Sequence, residues 1–334
     1  MSATALKRLI AHRAVPTATL SYGEDRPARG APRPGKAARS SILAITAFLG
    51  LLAVLPGCVT TEQPPVPPPA PQVSLPPDMI DTAEGALAGA RYAEAQQLFT
   101  RILSVEPNNV QAKLGLAEVM LALGHSTQAL QLFDQAADSP DLRSRALQGR
   151  GLSLLLADKP EAGFGALKQA VAGDPTLWRA WNAMGQYYDS QQNWAAATQC
   201  YEKALRQNPK SSMVLTNIGA SFLLQGRHRE AEEKLAKALA IEPANGVART
   251  NLRLALAWQG RYVDALVGAR GAELISVLND VGYVAILRHD YANAEAYLTR
   301  ALKESPTFFE PAWQNLQYLR ATQGKKVEIK EIKG

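Results

Sequence analysis

Residues 178–211 read WRAWNAMGQYYDSQQNWAAATQCYEKALRQNPKS, and this 34-residue stretch decides the fold. Trp181, Met184-Gly185, Tyr188, Ala197, Tyr201 and Ala204 recur at helical spacing, and Pro209 closes the unit. Working outward, proline falls in the same phase at 107, 175 and 243, with Pro140 beside the missing beat at 141. A repeat of this length is one helix–turn–helix unit. It is too small to bury its own apolar face, so successive units must stack.

Placing proline at position 32 puts unit starts at 76, 110, 144, 178, 212 and 246, and Pro306 fixes a further start at 275. Position 8 must be small for the two helices to approach, and it reads Ala83, Ala117, Gly151, Gly185, Gly219 and Gly282. Position 20 meets it as Ala95, Ala129, Gly163, Ala197, Ala231, Ala265 and Ala294. Position 27, facing the next unit, reads Ile102, Ala136, Ala170, Ala204, Ala238, Ala272 and Ala301. Proline stops the second helix because it cannot extend the hydrogen-bond ladder. Gly124, Gly226 and Gly260, all at position 15, permit the tight turn between helices. Residue for residue the pattern is similar to the tetratricopeptide repeat. That resemblance implies an all-α, right-handed superhelix, an α-solenoid of about seven helix–turn–helix repeats over 78–307. A capping helix over 308–324, with Phe309, Trp313, Leu316 and Leu319, would cover the last apolar face, and 325–334 would be a flexible tail.

Two departures stand out. Arg253 occupies position 8 of the sixth repeat, and Pro243 to Pro306 is 63 residues where two full repeats need 68. The second helix of that repeat, near Val263 to Leu274, contains Gly268 and Gly271. Either the superhelical pitch breaks there or the irregularity is harmless.

The net charge of +6 invites a nucleic-acid reading, and its distribution removes it. Residues 1–57 hold eight basic and two acidic side chains, so the remaining chain, with 28 of each sign, is neutral. A neutral body exerts no long-range pull on phosphate or anionic lipid. Within the leader, ILAITAFLGLLAVL runs apolar for 14 residues from Ile42 to Leu55. About 20 are needed to span a bilayer as a helix, so the run fits the apolar region of a signal peptide. The long segment before Arg39 is either an extended signal n-region or reflects a non-ATG start near Val15 or Leu20. Leu55-Pro56-Gly57-Cys58 resembles a bacterial lipobox, although Pro56 is atypical there. The resemblance implies cleavage after residue 57 and a lipid anchor on Cys58. An ordinary signal peptide with a chance cysteine, or a buried amphipathic helix, are the other readings. Residues 58–77 then form a tether, with eight prolines among the fourteen residues from Pro64 to Pro77. A polyproline II spacer of that length holds the body up to about 60 Å from a membrane. Cys200, the other cysteine, has no partner and reads as a half-buried apolar thiol.

No reactive constellation accompanies these features. The chain has no HExxH, GxSxG, P-loop or GxGxxG motif. His125, His228 and His289 fall in turns of three different repeats and read as solvated rim residues. Arg227, Arg229, Glu230, Glu232 and Glu233 form an ordinary solvated helix face. No cofactor, metal or small-molecule substrate is expected. About 80 residues outside the repeats, mostly leader and tether, leave no room for a catalytic domain.

The groove remains. In solenoids of this kind positions 2, 5, 9 and 12 of the first helix line the concave face. Here they include Leu114, Glu118 and Leu121, then Gln148, Leu152 and Leu155, then Arg179, Asn182, Gln186 and Asp189. Met213, Thr216 and Leu223 follow, then Thr250 and Leu254, then Asn279, Tyr283 and Ile286. Much of this lining is apolar, which suits an amphipathic partner segment. Alternatively, tight coiling buries the leucines against neighbouring helices. Asn217 and Asn251, both at position 6, could hold an extended peptide backbone, or simply follow the repeat consensus.

VARTNLRLALAWQG (247–260) and NDVGYVAILRHDYANAEAYLTRAL (279–302) are similar to the C-terminal repeats of the TadD lipoproteins of the tight-adherence (Flp, type IVc) pilus system. With the lipobox and tether, the resemblance covers roughly 80–320. It implies a non-enzymatic, lipid-anchored assembly factor on the periplasmic face of the outer membrane. Its partner would be the secretin or another pilus component. Val59, in place of an Asp after Cys58, is consistent with outer-membrane sorting. The competing reading is a general envelope adaptor that recruits peptidoglycan hydrolases.

Overall fold

A computed structural model describes residues 75–323. The leader, Cys58, most of the tether and the tail lie outside the described residues. Helices pair along the chain: α1 (Met79–Ala88) with α2 (Tyr92–Val105), α3 (Val110–Ala122) with α4 (Ser126–Ala136), and α5 (Arg143–Leu156) with α6 (Pro160–Gly173). Next come α7 (Trp178–Ser190) with α8 (Trp194–Gln207) and α9 (Ser212–Leu224) with α10 (His228–Ile241). Then follow α11 (Gly246–Trp258) with α12 (Tyr262–Ala265), α13 (Gly271–Leu287) with α14 (Tyr291–Glu304), and α15 (Glu310–Thr322) alone. The described residues contain no strand, and the architecture is an α-solenoid.

Sequence-local chemistry starts these helices. Asn109, Ser211 and Asn245 each occupy the residue before a first helix. Their side-chain oxygens accept from the N–H of Ala112, Val214 and Ala248 at 2.9, 3.3 and 2.8 Å. The turn inside each pair is made by one left-handed residue at position 15. Gly124, Gly226 and Gly260 have φ of +82°, +75° and +79°, and Ala90, Asp158, Gln192 and His289 adopt +56°, +56°, +60° and +62° at the same register. A left-handed backbone costs a residue with a Cβ roughly 1–2 kcal/mol, partly offset by glycine's greater freedom in the unfolded chain. Gln192→Gly is therefore expected to stabilise the fold by about 0.5–1 kcal/mol, read as a later thermal transition in circular dichroism. An earlier transition would contradict the turn account.

Packing within each repeat joins position 8 to position 24. Position 24 is large and buried: Phe99, Phe133, Leu167, Tyr201, Leu235 and Leu298. A Cβ added at Gly219 would lie 2.5 Å from Leu235 Cγ, and one at Gly282 would lie 2.7 Å from Leu298 Cγ. Where position 24 is phenylalanine, the ring reaches the next repeat and covers a glycine at position 6: Phe99 over Gly115 and Phe133 over Gly149. Each first helix also touches the first helix of the next repeat, whereas the second helices do not touch one another among the described residues. The first helices therefore take the inner side of the curve.

The sixth repeat differs from its sequence reading. Its second helix does not run from Val263 to Leu274. It is the single turn α12, ended by Gly268 and Gly271 with φ of +77° and +52°, after which α13 begins early and runs for 17 residues. Position 8 is Arg253 here, and Ala269 stands sixteen residues on, where the other repeats carry a large side chain. The Arg253 guanidinium binds Glu273 Oε1 at 2.5 Å and the Val267 carbonyl at 3.4 Å. Its side chain is 10 % exposed. Shortening the second helix leaves Val263 and Val267 on the surface.

At the C-terminal end α15 packs on α13 and α14 through Ala312, Leu316 and Leu319, which are buried. Trp313 does not join them. The i, i+4, i+7 spacing of those three residues defines the packing face, and Trp313 lies off it, exposed, with its ring centroid 6.0 Å from that of Phe308. Phe309 packs partly against the core.

Candidate protein-binding groove

The apolar half of the expected groove lining belongs to the core. Leu114, Leu121, Leu152, Leu223, Leu254 and Ile286 are 0–5 % exposed. The small residues at positions 8, 20 and 27 bring helices so close that positions 5, 9 and 12 pack against the adjoining first helix. Leu155 is only partly buried.

The polar half forms a ladder between repeats. Gln111 Nε2 donates to Glu84 Oε1 at 3.0 Å. Arg145 donates twice to Glu118, at 2.8 and 3.0 Å, and comes within 3.9 Å of Glu84. Gln148 Oε1 accepts from the Ala180 N–H at 3.1 Å. Asn217 Nδ2 donates to Asn182 Oδ1 at 2.9 Å, and Asn315 Nδ2 donates to Asn279 Oδ1 at 2.9 Å. Thr216 donates to the Ser212 carbonyl at 2.8 Å and accepts from Asn245 Nδ2 at 3.1 Å. These bonds fix the register of successive first helices and occupy amides that were expected to meet a peptide. Asn251 is not free to do so either: it is fully buried, and neither amide atom has a hydrogen-bond partner. Gln186, Met213, Thr250 and Tyr283 remain half-exposed on the inner face.

One polar cluster lies deeper. Asp189 sits at position 12, where Leu87, Leu121, Leu155 and Leu223 stand in other repeats. Tyr201 donates to its Oδ2 and Ser221 to its Oδ1, both at 2.7 Å, and Gln225 Nε2 donates to Ser221 Oγ at 3.1 Å. Burial pushes the Asp189 carboxyl up to about 6, partly offset by the Ser221 and Tyr201 hydrogen bonds. Burial likewise raises the Tyr201 hydroxyl well above its ordinary value. Next to it, Cys200 is a buried free thiol pushed up to about 11, again chiefly by burial, which leaves little thiolate for chemistry. An aspartate among position-12 leucines, with tyrosine at position 24, was the sequence signal of this cluster.

His228 is not a solvated rim residue. Its ring stacks on the Trp258 indole of the next repeat, centroids 5.2 Å apart and 9° from parallel, and its Nδ1 is buried without a partner. Burial first, and the Arg288 charge second, hold the imidazole below its ordinary range. His125 and His289 are exposed, and His289 Nδ1 pairs with the Tyr291 hydroxyl at 2.8 Å. Among the described residues no three His, Cys, Asp or Glu side chains converge as metal ligands, and no helix is long and apolar enough to cross a membrane.

Two family models, each described as tetratricopeptide repeat, match residues 86–150 and 182–246. The tetratricopeptide repeat-containing protein trd-1 of Caenorhabditis elegans is 25 % identical over 138 residues, 41 % of this chain and 17 % of that protein. The protein O-mannosyl-transferase TMTC1 of Mus musculus is 26 % identical over 145 residues, 42 % of this chain and 15 % of that one. The chain thus spans about a sixth of the length of the curated relatives it matches. Human IFIT1, solved as a dimer with m7Gppp-AAAA, superposes with a TM-score of 0.54 at 17 % identity, over 75 % of this chain and 64 % of that one. At such identity the likeness carries the fold alone. The matched segments overlap the helix pairs whose phase the prolines set, and these two stretches carry tetratricopeptide repeats within an α-solenoid, a repeat type that serves as a protein-interaction scaffold.

Proposed function

We propose that this chain is a non-enzymatic lipoprotein, anchored through Cys58 to the periplasmic face of the outer membrane, that presents its repeats to a pilus-assembly partner. The reading rests most on one observation. A lipobox-like Leu55-Pro56-Gly57-Cys58 is followed at once by a proline-rich tether and then by an interaction solenoid. The resemblance of 247–260 and 279–302 to the TadD lipoproteins favours the secretin of a tight-adherence system as partner. The inner face, with its half-exposed Gln186, Met213, Thr250 and Tyr283, offers polar and mixed contacts. It suits an extended segment better than an apolar helix seeking a greasy trough.

With the full-length protein as bait in detergent-solubilised envelopes, the secretin is expected to co-purify. Cys58→Ser is expected to move the protein from the membrane fraction to the soluble one. Recovery of peptidoglycan hydrolases without secretin would favour a general envelope adaptor, and membrane retention of the Cys58→Ser protein would sink the anchor.

A further inference from the structure

Exposed aromatic rings are confined to one end of this solenoid. Among the described residues they are Phe308, Trp313 and Tyr318, all on α15 or in the turn before it. The aromatic side chains of the earlier repeats are buried or half-buried. Phe308 is 71 % exposed and Trp313 41 %. Their ring centroids lie 6.0 Å apart and the planes are inclined by 59°. The pair is not needed for packing, because Ala312, Leu316 and Leu319 make the face that α15 turns to its neighbours. Pro306 and Pro311, both exposed, stiffen the backbone on either side of Phe308. Two inclined rings on a stiff turn form a shallow V, and an aromatic-lined surface of that kind suits a proline-rich segment.

The chain itself carries such a segment. Residues 64–71 read PPVPPPAP, six prolines in eight residues. Proline fixes φ, so a tract of this composition is extended before it binds and loses little entropy on docking. Its carbonyls outnumber its N–H groups, and an exposed indole N–H such as that of Trp313 can donate to one. Residues 64–77 hold no charged side chain, so docking desolvates no ion. Reach then decides which copy supplies the tract. Leu75 packs against the core of the first repeat and fixes where the tract ends. Pro71 and Pro64 lie 4 and 11 residues before it, within about 35 Å at about 3.1 Å per residue. Seven steps between first helices separate α1 from α15, about 60–70 Å along the stack at about 8–10 Å each. The two end helices do not touch. Along that path a chain's own prolines fall short of its own rings, and those of a neighbouring copy do not.

We propose that Phe308 and Trp313 dock the proline tract of a second copy, so that the start of one solenoid is held at the end of another. The contact joins different surfaces of the two copies and therefore propagates head to tail. It requires neither the lipid anchor nor a pilus partner.

The test compares two variants of the full-length protein in detergent by sedimentation. Phe308→Ala/Trp313→Ala removes the rings, and Pro67→Ala/Pro68→Ala/Pro71→Ala softens the tract. Wild type is expected to gain mass with concentration, and each variant alone to lose that gain. Their equimolar mixture is expected to form one-to-one pairs, because one variant supplies the tract and the other the rings. Association through the apolar leader is common to both variants and cannot produce this pattern. A peptide of residues 63–74 is then added to the tract variant carrying 5-fluorotryptophan. The Trp313 fluorine signal is expected to shift saturably, and a counterpart with alanine at every proline to bind at least tenfold more weakly. Adding Phe308→Ala alone is expected to weaken the proline peptide at least fivefold, and decides the matter if the double ring variant does not fold. Equal binding of the two peptides, or undiminished binding after Phe308→Ala, overturns the site. A wild type that stays a single copy at every concentration, or a mixture no heavier than its components, overturns the second copy as occupant. With peptide binding intact, that result would give the rings to the chain's own tract or to a different protein.

Discussion

Gly149→Ala is expected to destabilise the solenoid by about 3 kcal/mol, although the same change in an open helix position gains up to about 1 kcal/mol. The difference lies in one contact. A Cβ on residue 149 would stand 2.2 Å from Cε1 and Cζ of Phe133, a ring with no exposed surface and no room to retreat. Gly85, inside α1, has nothing within 4 Å of the same added carbon, so Gly85→Ala is the control and is expected to be neutral or stabilising. The chain contains its own remedy. Where position 24 is Leu167 rather than phenylalanine, position 6 of the next repeat is Ala183. Adding Phe133→Leu to Gly149→Ala copies that pair and is expected to recover most of the loss, giving a coupling of about 1–3 kcal/mol in a double-mutant cycle. Urea unfolding followed by circular dichroism measures all four proteins. If the two substitutions simply add, the ring-over-glycine account of the repeat interface is wrong.

That pairing marks what a single sequence makes legible here. Small residues at positions 8, 20 and 27 and the closing prolines are spacings along the chain, and they place every helix pair. The left-handed turn was legible at Gly124, Gly226 and Gly260. It was hidden at Ala90, Asp158, Gln192 and His289, because those residue types do not advertise the conformation they are forced into. The groove stayed open between two readings for a related reason. A leucine at position 5 or 12 looks the same whether it faces solvent or the next helix. The distance between helices decides, and the small residues at positions 8, 20 and 27 had already implied that it was short. In the sixth repeat the five missing residues were countable and Gly268 and Gly271 marked the second helix as their place, but the reduction of that helix to a single turn was not legible. Trp313 was assigned to the packing face for being aromatic, whereas the 312, 316, 319 spacing assigns the face to others.

Asp189 is expected to make the joint between the fourth and fifth repeats weaken as pH rises. Its folded-state carboxyl titrates near 6, against an ordinary 3.8 when the chain is unfolded. The folded state therefore holds the proton more tightly throughout that window, so stability from this group is complete below about pH 4 and falls until about pH 6. Roughly two pH units correspond to about 3 kcal/mol, to be read as an order of magnitude. At 7 % exposure solvent screens little of it. Above the window Asp189 is a buried carboxylate that accepts from Tyr201 and Ser221, and those two bonds keep the cost from being larger. Asp189→Asn keeps an acceptor and removes the titration. Whatever it costs through imperfect hydrogen bonding is the same at every pH, so the informative quantity is the change in its effect between pH 4 and pH 7. Relative to wild type, the Asn variant is expected to gain about 2–3 kcal/mol over that interval. Urea midpoints at the two pH values measure it. A wild-type minus Asn difference that stays constant with pH would mean that Asp189 ionises in the folded chain as it does in water. The hydroxyl pair would then be solvating a carboxylate that the fold never made costly.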